Sequence, residues 1–113
     1  MKEIRAYIKP HKRQEVALAL HKVEGLTGMS IIDIRGFGRG WLQGEARTRA
    51  EDVLDLVPHV KIEVICSDQL VDKVISVIEK IAHTGLRGDG KIYVSSVEMA
   101  IRIETGERGD NAV

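Results

Sequence analysis

The sequence predicts an α+β sandwich built from two β-α-β units, and three observations carry that prediction. Residues 2–23 (KEIRAYIKPHKRQEVALALHKV) and 60–81 (VKIEVICSDQLVDKVISVIEKI) share one pattern: a short alternating apolar segment, a polar break, then a 3.6-period helix. Ile4 then matches Ile62, Ile8 matches Cys66, Val16 matches Val74 and Leu20 matches Ile78. Each half also closes its helix-to-strand connection with a Thr-Gly pair, Thr27-Gly28 and Thr84-Gly85. Between the halves, periodicity fails and charges of both signs accumulate. Two β-α-β units in series imply a four-stranded antiparallel sheet with both helices on one face, the ferredoxin-like arrangement.

The elements follow in order. A first strand is expected over residues 2–9, broken by Pro10, and a first helix over residues 11–23. A second strand is expected over residues 29–37. The charged insert of residues 38–58 holds Arg39, Glu45, Arg47, Arg49, Glu51, Asp52 and Asp55, and connections of that length in small domains are functional or disordered. A third strand over residues 59–66 leads to a helix over residues 68–83, with Asp68 placed like an N-cap, and a fourth strand runs over residues 91–99. The tail from Ile101 to Asp110 reads as a mobile terminus or as a second binding strip. Apolar residues at both parities (Val60, Ile62, Val64 and Ile65 in one strand, Ile31, Ile32 and Ile34 in another) suggest a bare apolar sheet face that oligomerisation would cover.

Composition narrows the function classes. The length of 113 residues allows one compact domain, residues 1–113, and 43% hydrophobic content supports a core. Seventeen charges of each sign sum to zero, which argues against general nucleic-acid or anionic-membrane binding, so any cationic site must be local. The single Cys66 lies in an apolar strand pattern and fits core filler in a reducing cytoplasm. Neither a signal-peptide pattern nor an apolar span of about 18 residues occurs, so a cytoplasmic protein without membrane insertion is expected.

The most informative run is Thr84-Gly85-Leu86-Arg87-Gly88-Asp89-Gly90-Lys91. Glycines let backbone N–H groups approach an oxyanion, and the lysine supplies compensating charge. The spacing imitates a P-loop, but Ile92 stands where that motif needs Ser or Thr, and a strand follows instead of a helix. Taken alone, the run reads equally well as a phosphate-type cradle or as a plain helix-to-strand turn.

In combination, the segments around Ile8-Lys9-Pro10, Thr27-Gly28-Met29-Ser30, Arg35-Gly36-Phe37-Gly38-Arg39, Val60-Lys61-Ile62-Glu63, Gly88-Asp89-Gly90-Lys91-Ile92 and Thr105-Gly106-Glu107-Arg108 resemble the PII signal-transduction proteins nearly end to end. That resemblance implies a homotrimer with adenine nucleotide in the clefts between subunits. It also implies a T-loop at about 38–58 that engages a target, a B-loop at about 84–91 and a C-terminal loop at about 100–113. Transferred to matching positions, the phosphates would meet Gly88, Asp89, Gly90, Lys91 and Arg39, with Arg102 joining from a neighbour. Gly28, Met29, Ser30, Gly36, Gly38, Glu63 and Val64 would line the adenosine part.

The departures from the family pattern are as informative. Gly40 stands where 2-oxoglutarate-sensing relatives carry a magnesium-binding glutamine, and His59 replaces their keto-acid-binding lysine with a side chain whose charge at neutral pH is less assured. Glu104 replaces a tail arginine, and Asp52 replaces the tyrosine uridylylated in some relatives. These changes suggest ADP or AMP over ATP and a second ligand other than 2-oxoglutarate. Arg39, Gly40 and His59 are the small-anion candidates, with bicarbonate the candidate ligand, as in a carboxysome-associated branch of PII-like proteins serving inorganic-carbon metabolism. The alternatives are a conventional nitrogen-regulatory protein sensing ATP or ADP and 2-oxoglutarate, and a transporter regulator. Trp41, with Arg47 and Arg49, is the candidate anchor for a target that could be a transporter, an enzyme or a carboxysome component. His11, His21, His59, His83 and Cys66 show no metal-ligand spacing, and no nucleophile-base pair stands out, so neither a metal site, a tightly bound cofactor nor catalysis is expected.

Overall fold

The computed structural model describes residues 1–38 and 56–113. Four strands, β1 (Lys2–Ile8), β2 (Ser30–Gly36), β3 (Val57–Cys66) and β4 (Lys91–Ser96), form one sheet in the order β2-β3-β1-β4. Every pairing is antiparallel. Two helices, α1 (Arg13–His21) and α2 (Val71–Ala82), complete the ferredoxin-like α+β fold that the repeated pattern predicts.

Strand register shows why the repeat works. Ile4, Ala6 and Ile8 of β1 stand opposite Val64, Ile62 and Val60 of β3, so one face of the two central strands is a continuous apolar strip. Val16 and Leu20 of α1 and Val74, Ile78 and Ala82 of α2 cover that strip, and all belong to the buried core. All eight residues matched between the two halves are at most 1% exposed, so the duplication reflects a shared packing duty. Cys66 is among them, and burial pushes its thiol above the ordinary range, as suits a packed rather than reactive sulfur.

Several boundaries differ from expectation, each for a physical reason. Both helices open with a 3-10 turn, Pro10–Lys12 and Asp68–Leu70, before the α geometry sets in. Asp68 does not cap α2. Its Oδ1 accepts a hydrogen bond from the Met1 ammonium at 2.9 Å, and that bond, with the charge of the same group, holds the carboxyl below its usual range. β4 stops at Ser96 instead of Met99 because Ser96 pairs with Lys2, the first residue of β1, and the ladder then has no partner strand. β3 begins earlier than expected: Val57 and Pro58, assigned to the insert, pair with Gly36 and Arg35. Pro58 sits near the strand start, where a missing N–H is tolerated.

The helix-free face is also less apolar than expected. Val60, Ile62 and Val64 all point to the core, and the opposite parity of β1 and β3 carries Glu3, Arg5, Tyr7, Lys61, Glu63 and Ile65. Ion pairs join Arg5 to Glu3 (3.2 Å) and Lys61 to Glu63 (2.8 Å), while Tyr7 and Tyr93 pack edge to face. The bond to Glu63 is the largest contribution holding the Lys61 ammonium above its ordinary range. Ile32, Ile34 and Ile65 leave apolar surface only towards the β2 side, so this face is a charged and aromatic strip with an apolar margin.

Candidate functional site

The loop between α2 and β4 is built from the inside by Asp89. Its Oδ2 accepts hydrogen bonds from the backbone N–H groups of Thr84 (2.8 Å) and Gly85 (3.0 Å). Its Oδ1 accepts the Thr84 hydroxyl and lies 3.1 Å from the Lys9 ammonium. Lys9 also donates to Thr84 Oγ1 at 3.1 Å, and the same oxygen accepts from the Leu86 N–H at 3.1 Å. The ring of His83 lies 3.6 Å from Asp89 Oδ2. Burial by itself would raise the Asp89 carboxyl, but the bonds from Thr84, Lys9 and Gly85 together outweigh it and hold the group well below the usual carboxylate range. A nest of donors aimed at one anion is thus present, and the chain fills it with its own carboxylate.

Titration should reveal this. A carboxyl with a depressed folded-state pKa contributes stability that is fully present above the unfolded-state value of about 4 and is lost as pH falls through the folded-state value. Urea stability of the wild type and Asp89→Asn, measured from pH 7 to pH 2, should therefore differ by a constant amount above about pH 4.5 and converge in stronger acid. A gap that stayed constant to pH 2 would contradict the assignment.

The outer half of the loop is shaped by its glycines. Gly85, Gly88 and Gly90 have φ of 83°, 84° and 100°, and this alternation folds the chain so that Gly90 passes directly over the Tyr7 carbonyl of β1. Lys91 follows at the start of β4, exposed, on the rim of a groove of about 430 Å³ that Tyr7, His83, Asp89 and Gly90 also line. His59, on β3, is 4% exposed, and its Nε2 lies 3.2 Å from the Gly88 carbonyl oxygen. Its ring therefore braces the loop against β3 through a carbonyl, a contact that calls for an N–H donor at Nε2.

A second cleft, of about 590 Å³, lies at the far end of β3. It brings together Gly28, Met29, Ser30 and Glu63, four of the residues assigned to the adenosine part, with Met99, Ile101 and Val113 of the tail on its other wall. Val64 is not part of it; its side chain is 1% exposed and belongs to the core between β3 and the helices. Gly36 ends β2, and Gly38 follows it, half-buried, two residues on. Glu63 stands four residues from His59 along β3, about 13 Å at the usual rise of about 3.3 Å per residue. The two groups of candidate residues thus lie at opposite ends of one strand. Arg39, Gly40, Trp41, Arg47 and Arg49 lie outside the described residues, as does Asp52.

The tail is a defined hairpin and not a loose end. Ile101 bridges Arg108, the Arg102 N–H donates to the Glu107 carbonyl (2.9 Å), and the Gly106 N–H donates to the Arg102 carbonyl (2.7 Å). The Arg102 guanidinium donates to the Asn111 carbonyl at 3.3 Å, lies 4.0 Å from Glu107 and keeps an exposed side. Ile103, at the tip, is 99% exposed.

Sequence reasoning misses two members of the site, Lys9 and Thr84 in its side-chain role. Lys9 follows β1 and Asp89 precedes β4, and only the antiparallel register, which places Tyr7 beside Lys91, brings them together. Among the described residues, no three His, Cys, Asp or Glu side chains are placed to share a metal ion, and no helix is long and apolar enough to cross a membrane.

Fold and loop together define a ferredoxin-like α+β domain whose glycine-rich turn is held rigid from within. Comparison with known proteins takes the assignment further. Residues 1–107 match the family described as "Nitrogen regulatory protein P-II". Relatives of that name from Azospirillum brasilense and Rhodospirillum rubrum are each 49% identical over 113 residues, the whole of both chains, and one from Haemophilus influenzae is 47% identical over the same full length. The chain belongs to the P-II family of regulatory proteins.

Proposed function

We propose that this protein is a nucleotide-responsive regulator: a cytoplasmic homotrimer that binds adenine nucleotide between subunits and uses the T-loop at about 38–58 to control a target protein. The observation that carries the reading is the 84–91 loop. The Thr84 and Gly85 amides are satisfied by Asp89, and the glycine-rich turn through Gly88 and Gly90 leads directly into the exposed Lys91 at the sheet's end. A main-chain turn with an adjacent ammonium is suited to a terminal phosphate. The separation of that loop from Gly28, Met29, Ser30 and Glu63 supports a site completed by a neighbouring subunit, and Arg102 on the tail hairpin is the residue a neighbour would contribute. The role is binding rather than catalysis; ATP incubated with the protein should release phosphate only at a negligible rate.

The relatives carry the name nitrogen regulatory protein, which favours nitrogen regulation over inorganic-carbon metabolism. Gly40 and Glu104 still set this chain apart from the pattern for magnesium-dependent 2-oxoglutarate and ATP binding, and they favour ADP or AMP. Bicarbonate is the second reading, supported by the residue types alone: glycine stands at residue 40, next in sequence to Arg39, where 2-oxoglutarate-sensing relatives carry glutamine. It requires the affinities for ADP and bicarbonate to change each other equally, and an ADP affinity indifferent to bicarbonate would remove it.

Calorimetric titration of Lys91→Ala with ADP tests the phosphate assignment. A charge-assisted contact is worth about 1.5–3 kcal/mol, so affinity should fall by about ten- to a hundredfold with the thermal midpoint nearly unchanged. Unaltered affinity would place the phosphates elsewhere.

A further inference from the structure

Asp89 puts a negative charge inside the loop proposed to hold a polyphosphate. Left alone, that carboxylate would repel the ligand, and the repulsion would grow with each added phosphate. Lys9 stands against it. Its ammonium lies 3.1 Å from Asp89 Oδ1 and donates to Thr84 Oγ1 at the same distance. The side chains are only 16% and 23% exposed, so water screens the pair less than it would on an open surface. Lys91 and Arg87 form no ion pair with the described residues, so the Lys9–Asp89 pair leaves them uncommitted for an incoming anion.

We propose that Lys9 is a positioning and charge-compensating residue for the 84–91 loop: it locks Thr84 and Asp89 in place and cancels the Asp89 charge, thereby setting how strongly the site discriminates among nucleoside mono-, di- and triphosphates. The inference rests on the nucleotide reading of this loop. Lys9 touches no ligand itself; it acts through Thr84 and Asp89. A purely structural role would weaken AMP, ADP and ATP alike, whereas charge compensation acts in proportion to ligand charge.

The test is the ratio of ATP to AMP affinity, measured by calorimetry at one salt concentration for the wild type and three variants. Lys9→Met exposes the carboxylate and should lower that ratio about fivefold, as expected for two extra ligand charges at a distance on the order of 8 Å in a solvent-accessible site. Asp89→Asn leaves the ammonium uncompensated and should raise the ratio by a similar factor, whatever uniform loss of affinity accompanies it. Lys9→Arg should restore the wild-type ratio. The opposed signs keep the test decisive even if Lys9→Met folds poorly, because Asp89→Asn alone must then raise the ratio. Ratios unchanged in Lys9→Met and Asp89→Asn, with the wild type binding all three nucleotides, would overturn the inference and leave the nucleotide reading standing. A wild type that bound none of them would overturn both.

Discussion

Gly90→Ala is expected to be severely destabilising, costing about 3 kcal/mol or more. Two independent obstacles meet at this position. The backbone has φ of 100°, where an L side chain is strained, and a Cβ would overlap the Tyr7 carbonyl oxygen and lie 2.7 Å from its carbon. Neither β1 nor β4 can yield cheaply, because Tyr7 pairs with Lys91 and the ladder runs without interruption from there to Lys2 and Ser96. The loop would have to lift from the end of β1, carrying Asp89 away from Lys9. Chemical denaturation should therefore show a large loss of stability, and any folded fraction should have lost nucleotide affinity. Gly28→Ala is the control: a Cβ added there would meet no atom within 4 Å and its φ is not positive, so stability should change by less than about 0.5 kcal/mol. Equal stability of the two variants would mean that the close approach of loop and strand does not exist.

Ile62→Ala should cost about 2–5 kcal/mol in the same assay, as expected for deleting a fully buried aliphatic side chain and leaving a cavity. Ile62 is 0% exposed at the middle of β3, opposite Ala6 of β1 on one side and Ile31 of β2 on the other. With alanine already at residue 6, the β1 side offers no larger side chain directly opposite to fill the space. Ile65, three residues on and facing away from the helices, is 40% exposed, and Ile65→Ala should cost under about 1 kcal/mol in an isolated protomer. A larger loss at Ile65, accompanied by a fall in molecular mass, would mark its face as part of the subunit interface. A small loss at Ile62 would contradict the two-helix core.

The core is the most legible part of the sequence, because periodicity reports burial directly. Pattern alone pairs Ile4 with Ile62, Val16 with Val74 and Leu20 with Ile78, and each pair is buried on the same face. Legibility fails where a residue's partner is distant in the chain. Alternation continues through Val97 and Met99, so β4 looks longer in the sequence than it is; what ends it is the first residue of β1. Asp68 has the right spacing for a helix cap but is held by the Met1 ammonium. The run from Val60 to Ile65 suggests two apolar faces, yet of its four apolar residues Val60, Ile62 and Val64 share one parity and only Ile65 has the other.

The loop divides in the same way. Its glycines and Lys91 are visible as a possible anion cradle because Gly and Lys carry that chemistry locally. The inward turn of Asp89 is not visible, since it depends on Lys9, which the register of β1 and β4 delivers from the other end of the chain. The resemblance makes His59 a small-anion candidate; what the sequence does not show is that its Nε2 faces the Gly88 carbonyl oxygen and ties the loop to β3.

The central claim, that adenine nucleotide is held between protomers with its phosphates at the 84–91 loop, is tested most directly by titrating ADP into the purified protein while its mass in solution is measured. The expected result is a trimer that binds about one ADP per chain, with affinity falling in Lys91→Ala. A monomer that takes up neither AMP, ADP nor ATP would contradict it.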